Sequence, residues 1–134
     1  MRFSSSALLF ASSVAGLGIN CRGSGFCSLS PNGSIQKIKE QIGVIIADGQ
    51  GDRHFDTGAQ IACTNADQGS FCAFYQSNGA SGSANDAFTH IQWIIDHGCK
   101  LCGSVPIHDG NNVDDGQLTV NYVSDPCCEG TCHC

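Results

Sequence analysis

The chain has 134 residues, of which 12 are acidic and 6 basic, so its net charge is −6 at pH 7. A chain with this acidic balance and no Lys/Arg-rich block lacks the positive field that binds nucleic-acid phosphates or anionic lipids, so neither partner is expected. Only 13% of the residues are charged and 17 are glycines, which favours one compact, loop-rich domain over a disordered chain.

The first sixteen residues have the pattern of a secretory signal peptide. Arg2 precedes a short apolar run that begins at Ala7, and small residues follow. That run is much shorter than the ~20 apolar residues of a transmembrane helix, so no membrane insertion is expected. We predict a signal peptide over residues 1–16, cut between residues 15 and 18, and a secreted, extracellular protein. Residues 17–134 would form a single domain with a net charge of −7 and a cysteine-rich tail from residue 124.

Two segments have apolar residues at helical spacing. The first runs from Ser34 to Ile46 and spaces five isoleucines three and four residues apart, with Ser34 or Asn32 available as the N-cap. The second lies in NDAFTHIQWIIDHG, where Asn85 is a plausible N-cap and Gly98 a plausible stop. Its predicted apolar stripe consists of Ala87, Phe88, Ile91, Trp93, Ile94 and Ile95.

Short strand-like runs lie between and after the helices. They are Ala59 to Thr64, Phe71 to Gln76, Lys100 to Val105 and Leu118 to Val123. In the last run, apolar and mainly polar residues alternate, which indicates one buried face. Helices interleaved with strands predict an α+β layer structure with both helices packed on a sheet.

All ten cysteines lie after the predicted signal peptide. An even number of cysteines in an exported chain predicts five disulfides and no free thiol. The ten are Cys21, Cys27, Cys63, Cys72, Cys99, Cys102, Cys127, Cys128, Cys132 and Cys134.

Cys99 and Cys102 are three residues apart, a spacing that fits a redox centre, half of a zinc site or two separate disulfides. A redox pair usually begins a helix, where the helix dipole lowers the thiol pKa, whereas Cys99 follows a predicted helix. In a strand, residues three apart lie about 10 Å from each other, beyond the ~7 Å limit between disulfide-bonded Cα atoms. The two cysteines should therefore bond different partners.

The C-terminal CCEGTCHC could supply zinc ligands, but an oxidising compartment favours disulfides, so no metal or other cofactor is predicted. Adjacent cysteines rarely bond each other, so Cys127 and Cys128 should have separate partners. We predict that Cys63 and Cys72, each in a central strand-like run, bond two of the four tail cysteines. The other two tail cysteines would then close a short local loop.

Other polar groups offer weaker candidates. The segment IHDGNNVDDG contains four possible calcium ligands, but its valine and glycine positions break the EF-hand pattern and favour a polar turn. These ligands are Asp109, Asn111, Asp114 and Asp115. Only Glu40 and Glu129 are glutamates, and no GxSxG serine is present, so no catalytic residue is predicted and a secreted hydrolase is a minor alternative. Asn32 begins an N-glycosylation acceptor sequence.

Three sequence blocks occur in order along the chain: GLGINCRGS (16–24), HGCKLCGSVP (97–106) and GNNVDDGQLTVNYV (110–123). Together they resemble the killer-protein-four type of fungal killer toxin, a family of small secreted disulfide-rich proteins. The resemblance implies a small disulfide-rich α/β sandwich, in which an antiparallel sheet of about five strands carries two helices on one face. It also implies that Cys21 pairs with Cys99 and Cys27 with Cys102.

Members of that family kill or stunt competing cells, and their best-known activity is block of calcium channels from outside. The resemblance therefore implies a monomeric toxin or effector that acts on a surface protein of a target cell, with a calcium channel as one candidate. The alternative is a non-toxic secreted binding module. An exposed basic or aromatic patch would favour the toxin, and the candidate basic residues are Lys37, Lys39, Arg53 and Lys100.

The chain departs from the type toxin of the family that it resembles just before Cys63. That toxin is basic and carries a cluster of Arg and Lys there, including a lysine tied to activity. This chain instead has Ala59, Gln60, Ile61 and Ala62.

Overall fold

The computed structural model describes residues 17–29, 34–108 and 110–134. The predicted signal peptide, Asn32 and Asp109 therefore lie outside the described residues. Helix α1 spans Ser34–Ile45 and continues into a π-helical turn at Ile46–Gln50, and helix α2 spans Ala84–Asp96. Within these ranges, two 3₁₀ helices occupy Gly25–Leu29 and Val113–Asp115. Neither α1 nor α2, nor any other helix in the described ranges, has the length and apolar character needed to cross a membrane.

The described residues contain seven strands, which form two antiparallel sheets. Strands β1 (His54–Phe55) and β4 (Gly82–Ser83) form a small two-stranded ribbon. The main sheet has the order β5-β6-β3-β2-β7. Its strands are β2 (Gln60–Asn65), β3 (Ser70–Gln76), β5 (Gly103–Pro106), β6 (Gln117–Val123) and β7 (Cys132–His133). The α+β class and the five-stranded antiparallel sheet are therefore confirmed.

The core lies between this sheet and both helices. One face of β3 and β6 contributes Phe71, Tyr75, Leu118 and Val120 to the buried cluster, because side chains alternate across a strand. The helices contribute Ile35, Ile38, Ile42, Ile45, Ala87, Ile91 and Ile94. A bulge between Gln60 and Ala62 leaves Ile61 and Ala62 both fully buried, since a bulge places two residues of one strand opposite a single partner.

Three predictions about the helices and strands needed correction. Helix α2 is capped by Ser83 and not by Asn85, because the Ser83 Oγ accepts a hydrogen bond of 3.0 Å from the Asp86 N–H. Strand β5 begins at Gly103 and not at Lys100, since disulfides hold the cysteines before it in an irregular segment. Trp93 was wrongly placed in the buried stripe of α2, because it is 46% exposed.

Two long-range disulfides tie the N-terminal segment to the residues that precede β5. Cys21 bonds Cys99 and Cys27 bonds Cys102, as the family resemblance implied. The two cysteines of the CxxC sequence therefore have different partners. The bonded residues are 78 and 75 positions apart, so each crosslink spans more than half of the chain.

The remaining disulfides are local, and one prediction about them was wrong. Cys63 bonds Cys72, not a tail cysteine, because the two are directly opposite each other on β2 and β3, with Cα atoms 4.1 Å apart. The tail closes on itself through two bonds, Cys127 to Cys134 and Cys128 to Cys132. Separate partners for the adjacent Cys127 and Cys128 are confirmed, and all ten cysteines are bonded.

We expect the long-range disulfides to contribute more stability than the tail disulfides. Replacing both Cys21 and Cys99 with alanine should lower the free energy of unfolding by about 4.5 kcal/mol in the chain-entropy model, because the crosslink closes a long loop. The matched double replacement of Cys128 and Cys132, only 4 positions apart, should cost about 2 kcal/mol by the same relation. Guanidinium chloride unfolding measures the free energy that each double variant loses, and equal losses would contradict this ranking.

Candidate interaction surface

Trp93 is the most exposed of the large apolar side chains in the described ranges, at 46%. It lies on α2 between the buried residues Ile91 and Ile94. Two residues correspond to about 200° of helix rotation, so a side chain two positions after Ile91 faces away from the sheet. The buried residues of α2 are three or four positions apart, at 84, 87, 91 and 94. Position 93 does not fit this spacing, so the helical periodicity of the sequence could have identified Trp93 as an exposed residue.

Trp93 borders a cleft of about 250 Å³. The cleft lies between α2, the N-terminal segment and the loop that follows β5, and its wall includes Ile19, Val105, Pro106, His108 and Asn111. The Trp93 cleft, as we call it, thus combines apolar surface with the polar side chains of His108 and Asn111. Such a combination suits a site that must recognise a partner and not merely exclude water.

Backbone hydrogen bonds fix the walls of the Trp93 cleft. Asn20 and Ser104 exchange two bonds, of 3.0 Å and 2.8 Å, which align the N-terminal segment with the edge of β5. The Val113 N–H donates to the Leu17 carbonyl at 2.8 Å. The Ile107 N–H donates to the Gly116 carbonyl at 3.1 Å. The cleft is therefore preformed, because three separate segments are held by their main chains.

His90 extends the aromatic surface beside Trp93. The two rings meet edge to face, with centroids 5.1 Å apart. The His90 Nδ1–H donates to the Asp86 carbonyl at 2.7 Å. Burial lowers the pKa of His90, and the nearby His108 acts in the same direction, whereas the bond to Asp86 and its charge oppose the shift. The imidazole is therefore neutral at pH 7 and presents an uncharged ring next to the indole.

The four candidate basic residues do not form one patch. The Arg53 carbonyl accepts a hydrogen bond from Ala84 N–H at the start of α2, and Lys100 lies four residues beyond the end of that helix. Thirteen helical residues span about 20 Å, so these two residues lie at opposite ends of the molecule's helical layer. The exposed Lys37 and the half-buried Lys39 are two positions apart on α1, so they point in different directions.

Two of these cations are engaged within the protein. Lys39 lies 4.7 Å from the centroid of the Phe88 ring and donates a hydrogen bond to the Gln92 side chain. Arg53 lies 4.7 Å from the Phe55 ring and donates to the Cys134 carbonyl at 3.3 Å. Both contacts attach side chains to neighbouring elements, which leaves Lys37 and Lys100 as the freer candidates for binding a partner.

The segment before Cys63 is occupied by the C-terminal tail. The Gln60 Oε1 accepts a hydrogen bond of 2.6 Å from the Cys127 N–H, and its Nε2 donates to the Asp125 carbonyl at 3.1 Å. The Cys134 N–H donates to the Ile61 carbonyl at 2.9 Å. The residues at the position of the family's basic cluster therefore hold the tail against β2.

Two of the calcium candidates, Asp114 and Asp115, lie in a short capped 3₁₀ helix. The Asn112 side chain accepts a hydrogen bond of 2.9 Å from the Asp114 N–H and caps the 3₁₀ helix. Asp114 and Asp115 are exposed. Helix capping therefore explains why an asparagine precedes the two aspartates, and this explanation requires no metal ion.

Sulfur atoms of four cysteines also cluster beneath the tail. The Sγ atoms of Cys63, Cys127, Cys128 and Cys134 all lie within 4.8 Å of one another. We call this group the sulfur cluster. Each of its sulfurs is bonded in a disulfide, and thiolates rather than disulfide sulfurs bind metals, so the oxidised cluster has no free metal ligand.

Comparison with known proteins gives two consistent matches. A family model named Kp4 matches residues 5–124. The KP4 killer toxin of Ustilago maydis P4 virus is 39% identical over 111 residues, which cover 83% of this chain and 84% of that toxin. Neither match indicates an enzyme family. Residues 125–134, which form most of the tail, lie beyond the family match.

Trp93 is the chain's only tryptophan, so its fluorescence should report on this surface alone. We expect acrylamide to quench this fluorescence in the folded protein. The fluorescence intensity should also change with pH, with a midpoint below pH 6.5, because burial lowers the pKa of His90. His90→Gln should abolish the titration, and His108→Gln should raise its midpoint.

His54→Gln is the control, since His54 lies on β1 and should leave the curve unchanged. The lowered pKa of His90 means that its imidazole is harder to protonate in the folded state than in the unfolded chain. Its contribution to stability is therefore present above pH 6.5 and falls as the pH decreases below that value. A midpoint at or above 6.5, or a curve unaffected by His90→Gln, would contradict this assignment.

Proposed function

Since the chain belongs to the Kp4 family, we propose that this killer-toxin-like protein is exported and acts from outside on a surface protein of other cells. The match to a killer toxin along most of both chains carries the proposal. Five disulfides support export, because such bonds persist in oxidising compartments and are rare in the cytosol.

The protein would act by surface contact and not by catalysis. A toxin that blocks or captures a receptor needs a rigid surface with a few strongly binding side chains, and aromatic residues beside a pocket commonly fill that role. Trp93, with His90 at its edge and a preformed cleft beside it, has these properties. We therefore assign the Trp93 cleft as the main contact with the target.

Charge distinguishes this chain from the basic toxins that it resembles. The proposed mature protein has a net charge of −7, and the segment before Cys63 carries the tail instead of a basic cluster. An acidic protein is repelled by the anionic mouth of a cation channel, so electrostatic steering toward such a channel would be weak. Recognition would depend on aromatic and shape complementarity, and a calcium channel remains the first target to test because of the family's best-known activity.

Growth inhibition by the purified protein tests both the activity and the assigned surface. The protein is applied to fungal and plant cells over a range of concentrations, with and without excess external calcium. Trp93→Ala should raise the inhibitory concentration about 30-fold, because a central aromatic contact contributes ~2 kcal/mol or more. Val44→Ala is the matched control, since Val44 is an exposed apolar residue too, at 40%, but lies on α1.

The outcomes separate the parts of the proposal. Relief of inhibition by calcium would identify a calcium channel as the target, whereas inhibition that is insensitive to calcium would indicate another surface protein. Equal loss of activity in both variants would refute the assignment of the Trp93 cleft. If the protein inhibits no cell type at micromolar concentration, the toxin proposal fails and the chain is a non-toxic binding module.

A further inference from the structure

The sulfur cluster brings three disulfides into contact. The Cys127 Sγ lies 3.8 Å from the Cys63 Sγ, although the two cysteines are bonded to different partners. The Cys127 Sγ is also 3.5 Å from the Cys128 Sγ. A distance of 3.8 Å is ordinary van der Waals contact, so a thiolate formed at Cys127 would already touch the disulfide between β2 and β3.

Burial differs sharply across the cluster. Cys63 and Cys72 have no exposed surface, whereas Cys127 is exposed and Cys128 and Cys134 are half-buried. An external thiol therefore cannot reach the Cys63–Cys72 bond directly. It can reach the tail disulfide, whose Cys127 sulfur touches the buried bond.

The tail is also held in position for transfer. The Gln60 side chain accepts a hydrogen bond from the Cys127 N–H, and β7 pairs with β2 at Ala62 and Cys63. These contacts do not involve the Cys127–Cys134 bond, so they would persist after it breaks. Cys127 would consequently stay beside Cys63 while its sulfur is a free thiolate.

We propose that the sulfur cluster is a thiol–disulfide exchange site, which passes reduction from the exposed tail to the buried Cys63–Cys72 disulfide. Its co-substrate is an external thiol, R–SH. The R–S⁻ form bonds to the Cys134 sulfur, the Cys127–Cys134 bond breaks, and Cys127 leaves as a thiolate. Cys127 then bonds Cys63, the Cys63–Cys72 bond breaks, and Cys72 leaves as a thiolate and takes up a proton.

A second R–SH completes the reaction. It displaces the mixed disulfide at Cys134 and forms R–S–S–R, so two external thiols are oxidised while Cys72 and Cys134 become thiols. The product carries one new crosslink, Cys63 to Cys127, in place of two local ones.

Cys134→Ser tests the transfer without any external thiol, because it leaves Cys127 unpaired from the start. The variant is incubated near pH 8, where thiolates form, then quenched in acid, denatured, alkylated and mapped under non-reducing conditions. We expect a Cys63–Cys127 linked peptide as the main species, with alkylation at Cys72. Alkylation at Cys127 with the Cys63–Cys72 bond intact, or a Cys127–Cys128 bond, would overturn the proposal.

Cys21→Ser is the matched control. It leaves Cys99 unpaired beside β5, at the opposite edge of the sheet from β7, which is about 19 Å away across four strand spacings. The Cys63–Cys72 bond should remain intact there, so its loss in this variant would show unspecific reshuffling and refute a directed transfer.

The wild-type protein supplies a second measurement that does not depend on folding of a variant. After treatment with one equivalent of dithiothreitol, Cys72 and Cys134 should be alkylated together. Alkylation of Cys127 and Cys134 together, with Cys72 still bonded, would count against the relay.

Discussion

The attachment of the N-terminal segment to the residues before β5 is the constraint on which the rest of the structure depends. Cys21–Cys99 and Cys27–Cys102 join parts of the chain that are more than 70 positions apart, and Cys27 lies in the first 3₁₀ helix. With the segment fixed there, Asn20 can pair with Ser104 at the edge of the sheet. The same attachment places Ile19 in the wall of the Trp93 cleft, so the disulfides that stabilise the fold also shape the cleft.

Much of the fold follows from the sequence because its periodicity is strong. The isoleucines of α1 and the alternation in β6 reflect burial on one side, and both elements were located to within a residue or so at each end. The ends were less predictable where tertiary contacts decide them. Ser83 caps α2 in place of Asn85 because the chain enters the helix from β4, and a pairing of that kind leaves no local signature.

The site was harder to predict than the fold. Trp93 has the composition of a core residue, and only its helical phase relative to Ile91 and Ile94 reveals that it faces solvent. The pairing of Cys63 with Cys72 depends on the register of one hairpin, and a shift of a single residue would move the two sulfurs to opposite faces. The sulfur cluster could not be foreseen, because it requires the tail to return to β2 through a path that the sequence does not specify.

The C-terminal tail also covers one edge of the main sheet, through the two-residue strand β7. In pairing with β2 it occupies backbone donors and acceptors that would otherwise line an open edge of the sheet. The opposite edge, at β5, is short, carries Pro106 and is partly covered by Asn20. Among the described residues, the tail covers the free edge of β2, so a molecule that lacked the tail would offer a template for edge-to-edge self-association.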